Sequence, residues 1–262
     1  MLKLVICEFL KLKRKKFIWL VVLSAFLFPV PLTVLMTMPQ TAMRYDSKID
    51  IFSDYFQFVM GYGVGLLLPC MIGVIAALLF FMERDNDTFK NLRVIPVTST
   101  QMILAKIIVL FSFGIIFSLT SALITILCGG MFAEVNQIVY RLFFLVEMGI
   151  FITSGTLPLV VLVVFFSKTY IFSVLLCVFY SVLSMTAESS FGVLPKVMCW
   201  LMPIPLTTLW SAGDLIAHGT KEGVGILEYL IPTTFQTILI LAVIALGSVI
   251  LIDLMYKKRG DE

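Results

Sequence analysis

From Phe17 to Met36 the chain runs for twenty residues without a charged side chain, and it does so again from Phe58 to Met82 and from Ile107 to Phe132. A helix needs roughly 20 mostly apolar residues to cross a bilayer, so each run is long enough to span one. Leu142 to Phe166 is a fourth, interrupted by Glu147 alone, and Tyr170 to Thr186 a shorter fifth. Only Ser167-Lys168-Thr169 separates those two, which makes them an antiparallel hairpin. Pro232 to Ile252 closes the set, with Pro232 expected in the first helical turn, where its missing N–H costs nothing. The sequence therefore predicts an all-α polytopic membrane protein with six transmembrane helices, at 17–36, 58–82, 107–132, 142–166, 170–186 and 232–252.

Composition removes the alternatives. With 60% hydrophobic and 13% charged residues, the chain lacks the polar side chains needed to cover a water-facing surface, which rules out a soluble enzyme or a disordered protein. A net charge of +3 is no nucleic-acid footprint. The five cysteines are dispersed without a Cys-x-x-Cys, and His218 is the one histidine, so neither a disulfide framework nor a metal site is expected. The first apolar run is about twice the usual core of a signal peptide and contains Pro29 and Pro31, so it is expected to stay as a span.

Six spans place both termini on one side, and the basic residues choose it. Fourteen of the 19 lysines and arginines fall on the side of the termini, among them Lys11, Arg14, Arg84, Lys168 and Lys257; Arg44, Lys48, Arg141, Lys196 and Lys221 fall on the other. Both termini are expected in the cytoplasm.

Three stretches outside the spans carry pattern. Residues 1–16 are amphipathic, with Leu2, Val5, Ile6, Phe9 and Leu12 at helical spacing, which suits an interfacial elbow helix with its apolar face in lipid. The loop 84–98 contains Asn86 or Asp87 as a cap and then Phe89, Leu92 and Arg93 on one face, before Pro96 stops the turn. A two-turn helix of this kind is too short to stand alone and has the form of a segment that docks into another protein. Residues 187–231 are apolar in their middle but carry Pro195, Pro203 and Pro205, so short re-entrant half-helices in the extracellular leaflet are expected. Within the spans, Glu147 is a gating or cargo candidate because an intramembrane carboxylate is costly to keep. Asp253 and Lys257 are spaced as an i,i+4 pair, and Gly61 to Gly65 offers a small-residue spacing for close helix packing.

Glu83-x4-Thr88-Phe89-Lys90-Asn91-Leu92, followed by Pro96-Val97 and then Lys106, resembles the cytosolic loop of ABC-2 type transporter permeases. Asp87 stands where that family usually has Gly. Glu8-Phe9-Leu10-Lys11-Leu12-Lys13-Arg14 is similar to the family's elbow-helix start. The resemblance implies that Glu83, Asp87, Thr88, Phe89, Lys90, Leu92 and Arg93 form a short cytoplasmic coupling helix against an ATPase, and that Phe9, Lys11 and Arg14 belong to the elbow helix. It also implies two ATPase subunits holding ATP and Mg, and a second permease subunit, identical or homologous. The sequence has no Gly-x4-Gly-Lys-Ser/Thr, so no cofactor is expected on this chain and the nucleotide belongs to the partner.

Among such permeases, a short chain opening on basic residues is most similar to lantibiotic-immunity and peptide-antibiotic exporter subunits of Gram-positive bacteria. The expected function is then export of an amphiphilic, membrane-active peptide from the cell membrane. Export of a drug, glycolipid or polysaccharide, a signalling or assembly subunit without a transport path, and an intramembrane enzyme are the competing readings. The last has the least support, since the Ser and Thr of the spans come with no base or oxyanion group.

Overall fold

Local chemistry sets where the helices begin. Thr98 accepts from the backbone N–H of Gln101, whose side chain accepts from Thr98 N–H, a reciprocal box that starts a helix of 31 residues. Thr233 and Gln236 form the same box at the sixth span. That helix therefore begins at Thr234, and Pro232 precedes the cap instead of sitting in the first turn. Ser47 caps the second span by accepting from Asp50 N–H at 3.1 Å.

The computed structural model describes residues 1–14, 17–42, 45, 47–85, 98–166, 170–219 and 228–260. In chain order the helices are α1 (Leu2–Arg14), α2 (Phe17–Ser24), α3 (Pro29–Met36), α4 (Pro39–Ala42), α5 (Lys48–Phe58), α6 (Leu68–Asp85), α7 (Ser99–Gly129), α8 (Ile138–Phe165), α9 (Tyr170–Ser189), α10 (Lys196–Leu201), α11 (Pro203–Ala217) and α12 (Thr234–Gly260). A π-helical stretch, Val59–Leu67, joins α5 to α6, and a 3₁₀ turn, Glu228–Leu230, precedes α12. Among the described residues there is no strand, and six helices are long and apolar enough to cross a membrane.

The six spans form two layers. In the second, third and fourth spans 67%, 56% and 61% of the most apolar window is buried, against 17%, 28% and 17% in the first, fifth and sixth, so the middle three form the core and the others line its outside. Helix α8 is the hub, packed by α7, α12, α6 and α11. The outer spans leave Leu23, Phe26, Phe179, Val243 and Leu246 exposed, a surface only lipid or another apolar protein tolerates.

The first span is two helices. Pro29 and Pro31 cannot donate to the carbonyls four residues earlier, and the chain passes from α2 to α3 through turn bonds from Phe26 to Leu23 and from Leu27 to Ser24. Its second half, α3, is pinned to α5: the buried Tyr55 donates to Pro29 O at 3.0 Å and lies 3.1 Å from Thr33 Oγ1. Tyr55→Phe should cost about 0.5–1.5 kcal/mol by removing the hydroxyl that links α5 to Pro29 O and Thr33, while Thr33 still donates to that carbonyl. Thermal unfolding of the purified protein in detergent measures it, and an unchanged midpoint would mean the pin is not formed.

The second span starts ten residues before its charge-free run, because Phe52, Tyr55 and Phe56 put a buried face on α5 despite Asp50 and Asp54. Its π-helical stretch has a chemical cause. Pro69 offers no N–H to Gly65 O, and the glycines at 61, 63 and 65 place little resistance on the wider backbone. By contrast α8 runs unbroken through Pro158.

Helices α7 and α8 cross at their glycines. A methyl on Gly114 would strike Thr153 Oγ1, and one on Gly149 would strike Ser118 Oγ, so each glycine receives a hydroxyl residue of the other helix. Ser118 Oγ has no hydrogen-bond partner and is fully buried, because it lies against the Gly149 backbone. Thr153 instead bonds back to Gly149 O at 2.7 Å.

Candidate functional site

Both termini meet at one end of the bundle, where polar side chains from four elements are drawn together. Thr100 of α7 donates to Asp253 of α12 at 2.9 Å, and Lys257 completes the i,i+4 pair at 2.6 Å. Tyr256 sets its ring edge-on to Phe80 of α6. The expected Asp253–Lys257 pair is therefore also a tie between the sixth and third spans.

Helix α1 lies against α7. Its apolar face is divided: Val5, Phe9 and Leu12 pack on the bundle, while Leu2, Ile6 and Leu10 are exposed. Phe9 stacks on Phe113 with ring centroids 5.6 Å apart. Between Val5 and Leu12 the same face presents Glu8, which is buried. Its carboxylate receives Lys11 at 2.5 Å and Lys106 at 3.3 Å. Lys106 is fully buried two turns inside α7, with its ammonium also donating to Leu79 O of α6 at 3.0 Å and 5.3 Å from the Phe80 ring. One ammonium thus joins α1, α6 and α7.

By its place in the sequence Lys106 was expected at the start of the third span, one residue before the charge-free run from Ile107. The signal that had been available was a cation two turns after the Thr98 cap, too deep to reach water along that helix. Of the elbow residues, Phe9 and Lys11 make the contacts above and Arg14 closes α1. Glu83 falls in the last turn of α6; Asp87, Thr88, Phe89, Lys90, Leu92 and Arg93 lie outside the described residues. What the structure places around them is their frame, since α6 ends at Asp85 and α7 begins at Ser99.

At the opposite end α11 packs along α8. Trp210 stacks on Phe144, meets Phe151 edge-on, and donates to Thr234 Oγ1 at 3.1 Å. Tyr140 donates to Asp214 at 2.6 Å, and His218 stacks on Tyr140 with centroids 4.0 Å apart. In α10, Lys196 lies over the Trp200 ring, and Trp200 donates to Leu230 O at 2.8 Å. Thr208 of α11 donates to Glu188 at 2.8 Å, which ties the pair to the end of α9.

Arg141 is buried in this region, with its guanidinium carbon 4.6 Å from the ring centroids of both Phe52 and Phe56, whose planes are tilted to one another. It donates to Asn136 Oδ1 at 2.7 Å and to Ser53 Oγ at 3.2 Å. No described carboxylate pairs with it, and Glu147 is exposed on the side of α8, so the two are not partners. The glycines at 61 and 65 face open space or their own helix, while Gly63 packs near Phe28 and Ser121. All five cysteines are free, Cys7 exposed and Cys177 and Cys199 buried. Among the described residues no group of His, Cys, Asp or Glu is arranged to hold a metal ion.

A family model described as ABC-2 family transporter protein matches residues 4–184. The match runs from the first turn of α1 to the fifth span and includes 86–97. No curated protein and no solved structure matches the chain.

Proposed function

The chain belongs to the ABC-2 family of transporter proteins, and from that premise we propose that it is the permease of an exporter that moves a membrane-active peptide, of the lantibiotic type, out of the bilayer. Membership makes it a multi-pass membrane permease subunit that works with ABC ATPase subunits. The observation that carries the reading is one end of the molecule: the segment with Thr88-Phe89-Lys90-Asn91-Leu92 is framed by α6 and α7, the two helices to which α1 is bound.

In this reading the end with both termini is cytoplasmic, as the excess of lysine and arginine on that side supports. Two such permeases, identical or homologous, stand on two ATPases. ATP binding draws the ATPases together, and 84–98 passes the displacement to α6 and α7. The cargo enters from the membrane onto apolar faces such as those of Phe172, Leu175 and Phe179, which a peptide with an amphiphilic surface fits better than a hydrated solute. Helices α10 and α11 serve as the re-entrant pieces of the outer leaflet, and a Gram-positive cell membrane is the setting.

The test is Phe89→Asp in the full chain, co-expressed with its ATPase. A central docking residue contributes about 2 kcal/mol or more, so the variant should hold its ATPase roughly thirtyfold less tightly. ATP turnover in the wild-type complex should rise on addition of a purified lantibiotic, and this rise should vanish in the variant. Unchanged assembly and turnover would remove the docking role. Stimulation by a hydrophobic drug or glycolipid but by no peptide would replace the cargo.

A further inference from the structure

We propose that the Glu8–Lys106 ion pair is a positioning device of transport: it yokes α1 and the inner half of the first span to the ends of α6 and α7, so that they follow the coupling segment. The inference rests on the permease reading above and adds to it two residues and a moving part.

The argument begins with burial. An ammonium with no exposure in apolar surroundings is tolerated only when it is paired and hydrogen-bonded, and separating the pair leaves a stranded charge. An interfacial anchor has no use for such a contact. Lys3 and Lys13 sit on the same helix, exposed, where cations that meet head groups belong. Glu8 and Lys106 instead form a directional link across 98 residues of sequence.

Geometry supplies the rest. The Lys106 ammonium also holds Leu79 O, so the link reaches both helices that frame 86–97. On its other side α1 is followed, after two residues, by α2, which packs on α7 and buries Val21. The first span is broken at 25–28, and its outer half is pinned by Tyr55 to α5. A displacement of the α6 and α7 ends is therefore delivered to α1 and α2 and stops at the break. The inner half of the first span swings, and the outer half stays with the second.

Cys7, exposed and next to Glu8, is a native reporter of α1. The experiment measures the rate of its modification by N-ethylmaleimide, resolved by mass spectrometry, in vesicles holding the full chain with its ATPase, without nucleotide and with Mg and a non-hydrolysable ATP analogue. The wild type and Lys13→Gln should show a nucleotide effect of roughly fivefold or more, the lower range of coupling between sites. Glu8→Met and Lys106→Met should lose it. The double variant Glu8→Met/Lys106→Met keeps the volume and removes both members of the buried pair, leaving Lys11 with access to water, so it is expected to fold where a single variant does not. It too should lose the effect, because an apolar contact is non-directional and slides. A wild-type Cys7 indifferent to nucleotide, or a double variant that retains the full effect, overturns the inference alone. Failure of any ATPase to co-purify overturns the permease reading and the inference with it.

Discussion

Gly149→Ala is expected to lower the thermal midpoint by several degrees, and adding Ser118→Gly is expected to bring most of it back. The new methyl would lie against Ser118 Oγ and 2.8 Å from Ser118 Cβ, closer than real side chains pack, and 3.2 Å from Gly114 O, which is tight. None of these atoms is the free end of a long side chain. Ser118 is fully buried and Gly114 O is backbone, so the helices α7 and α8 must part. Overpacking of this kind costs about 1–3 kcal/mol, and here it falls at the closest crossing of the hub helix, against a total stability of only about 5–15 kcal/mol. Ser118→Gly deletes the two nearest obstacles and leaves one contact at 3.2 Å. Its own cost is about 0.5–1 kcal/mol of helix propensity. Folded yield and thermal midpoint in detergent decide the matter. Should Gly149→Ala melt with the wild type, or the double variant fare no better than the single, the close crossing would be refuted.

The same crossing shows what a reader of the sequence can and cannot see. Charge-free runs announce six spans because a bilayer excludes charge, and that rule acts on each run by itself. Which spans are central depends on pairs such as Gly114 with Thr153 and Gly149 with Ser118, which lie 31 or more residues apart and repeat no pattern. The outer start of the second span was hidden for a related reason. Asp50 and Asp54 end the apolar run, yet Ser47 caps a helix there whose Phe52, Tyr55 and Phe56 face inward.

The site was legible in part. The amphipathic pattern of α1 was plain, but its apolar face was expected in lipid, whereas Val5, Phe9 and Leu12 pack on protein. Glu8 belonged to a motif and Lys106 to a loop boundary, and nothing in periodicity brings them together. Pro29 and Pro31 signalled a bend and produced a full break, since the donors on either side of Val30 are missing. Glu147 attracted notice as a carboxylate inside a span, while the buried charge of that helix is Arg141, counted beforehand only as one of five cations on its side.

Arg141 should tolerate neither lysine nor methionine, and the two losses should be similar. Its guanidinium carbon lies 4.6 Å from the ring centroids of both Phe52 and Phe56, while its nitrogens reach Asn136 and Ser53. Each cation–π contact contributes about 0.5–2 kcal/mol, and hydrogen bonds to a charged group about 1.5–3 kcal/mol each. Desolvation of the charge opposes these gains, so the net loss in Arg141→Met should be about 3 kcal/mol. Lysine keeps the charge and loses the guanidinium: a single ammonium cannot meet both rings and also reach the carboxamide and the hydroxyl. If a cation near the end of α8 were needed only to meet the membrane surface, Arg141→Lys would melt with the wild type and Arg141→Met alone would fall. If the guanidinium holds the second span to the fourth, both midpoints fall together, because either variant removes the one group that meets both rings and both hydrogen-bond acceptors.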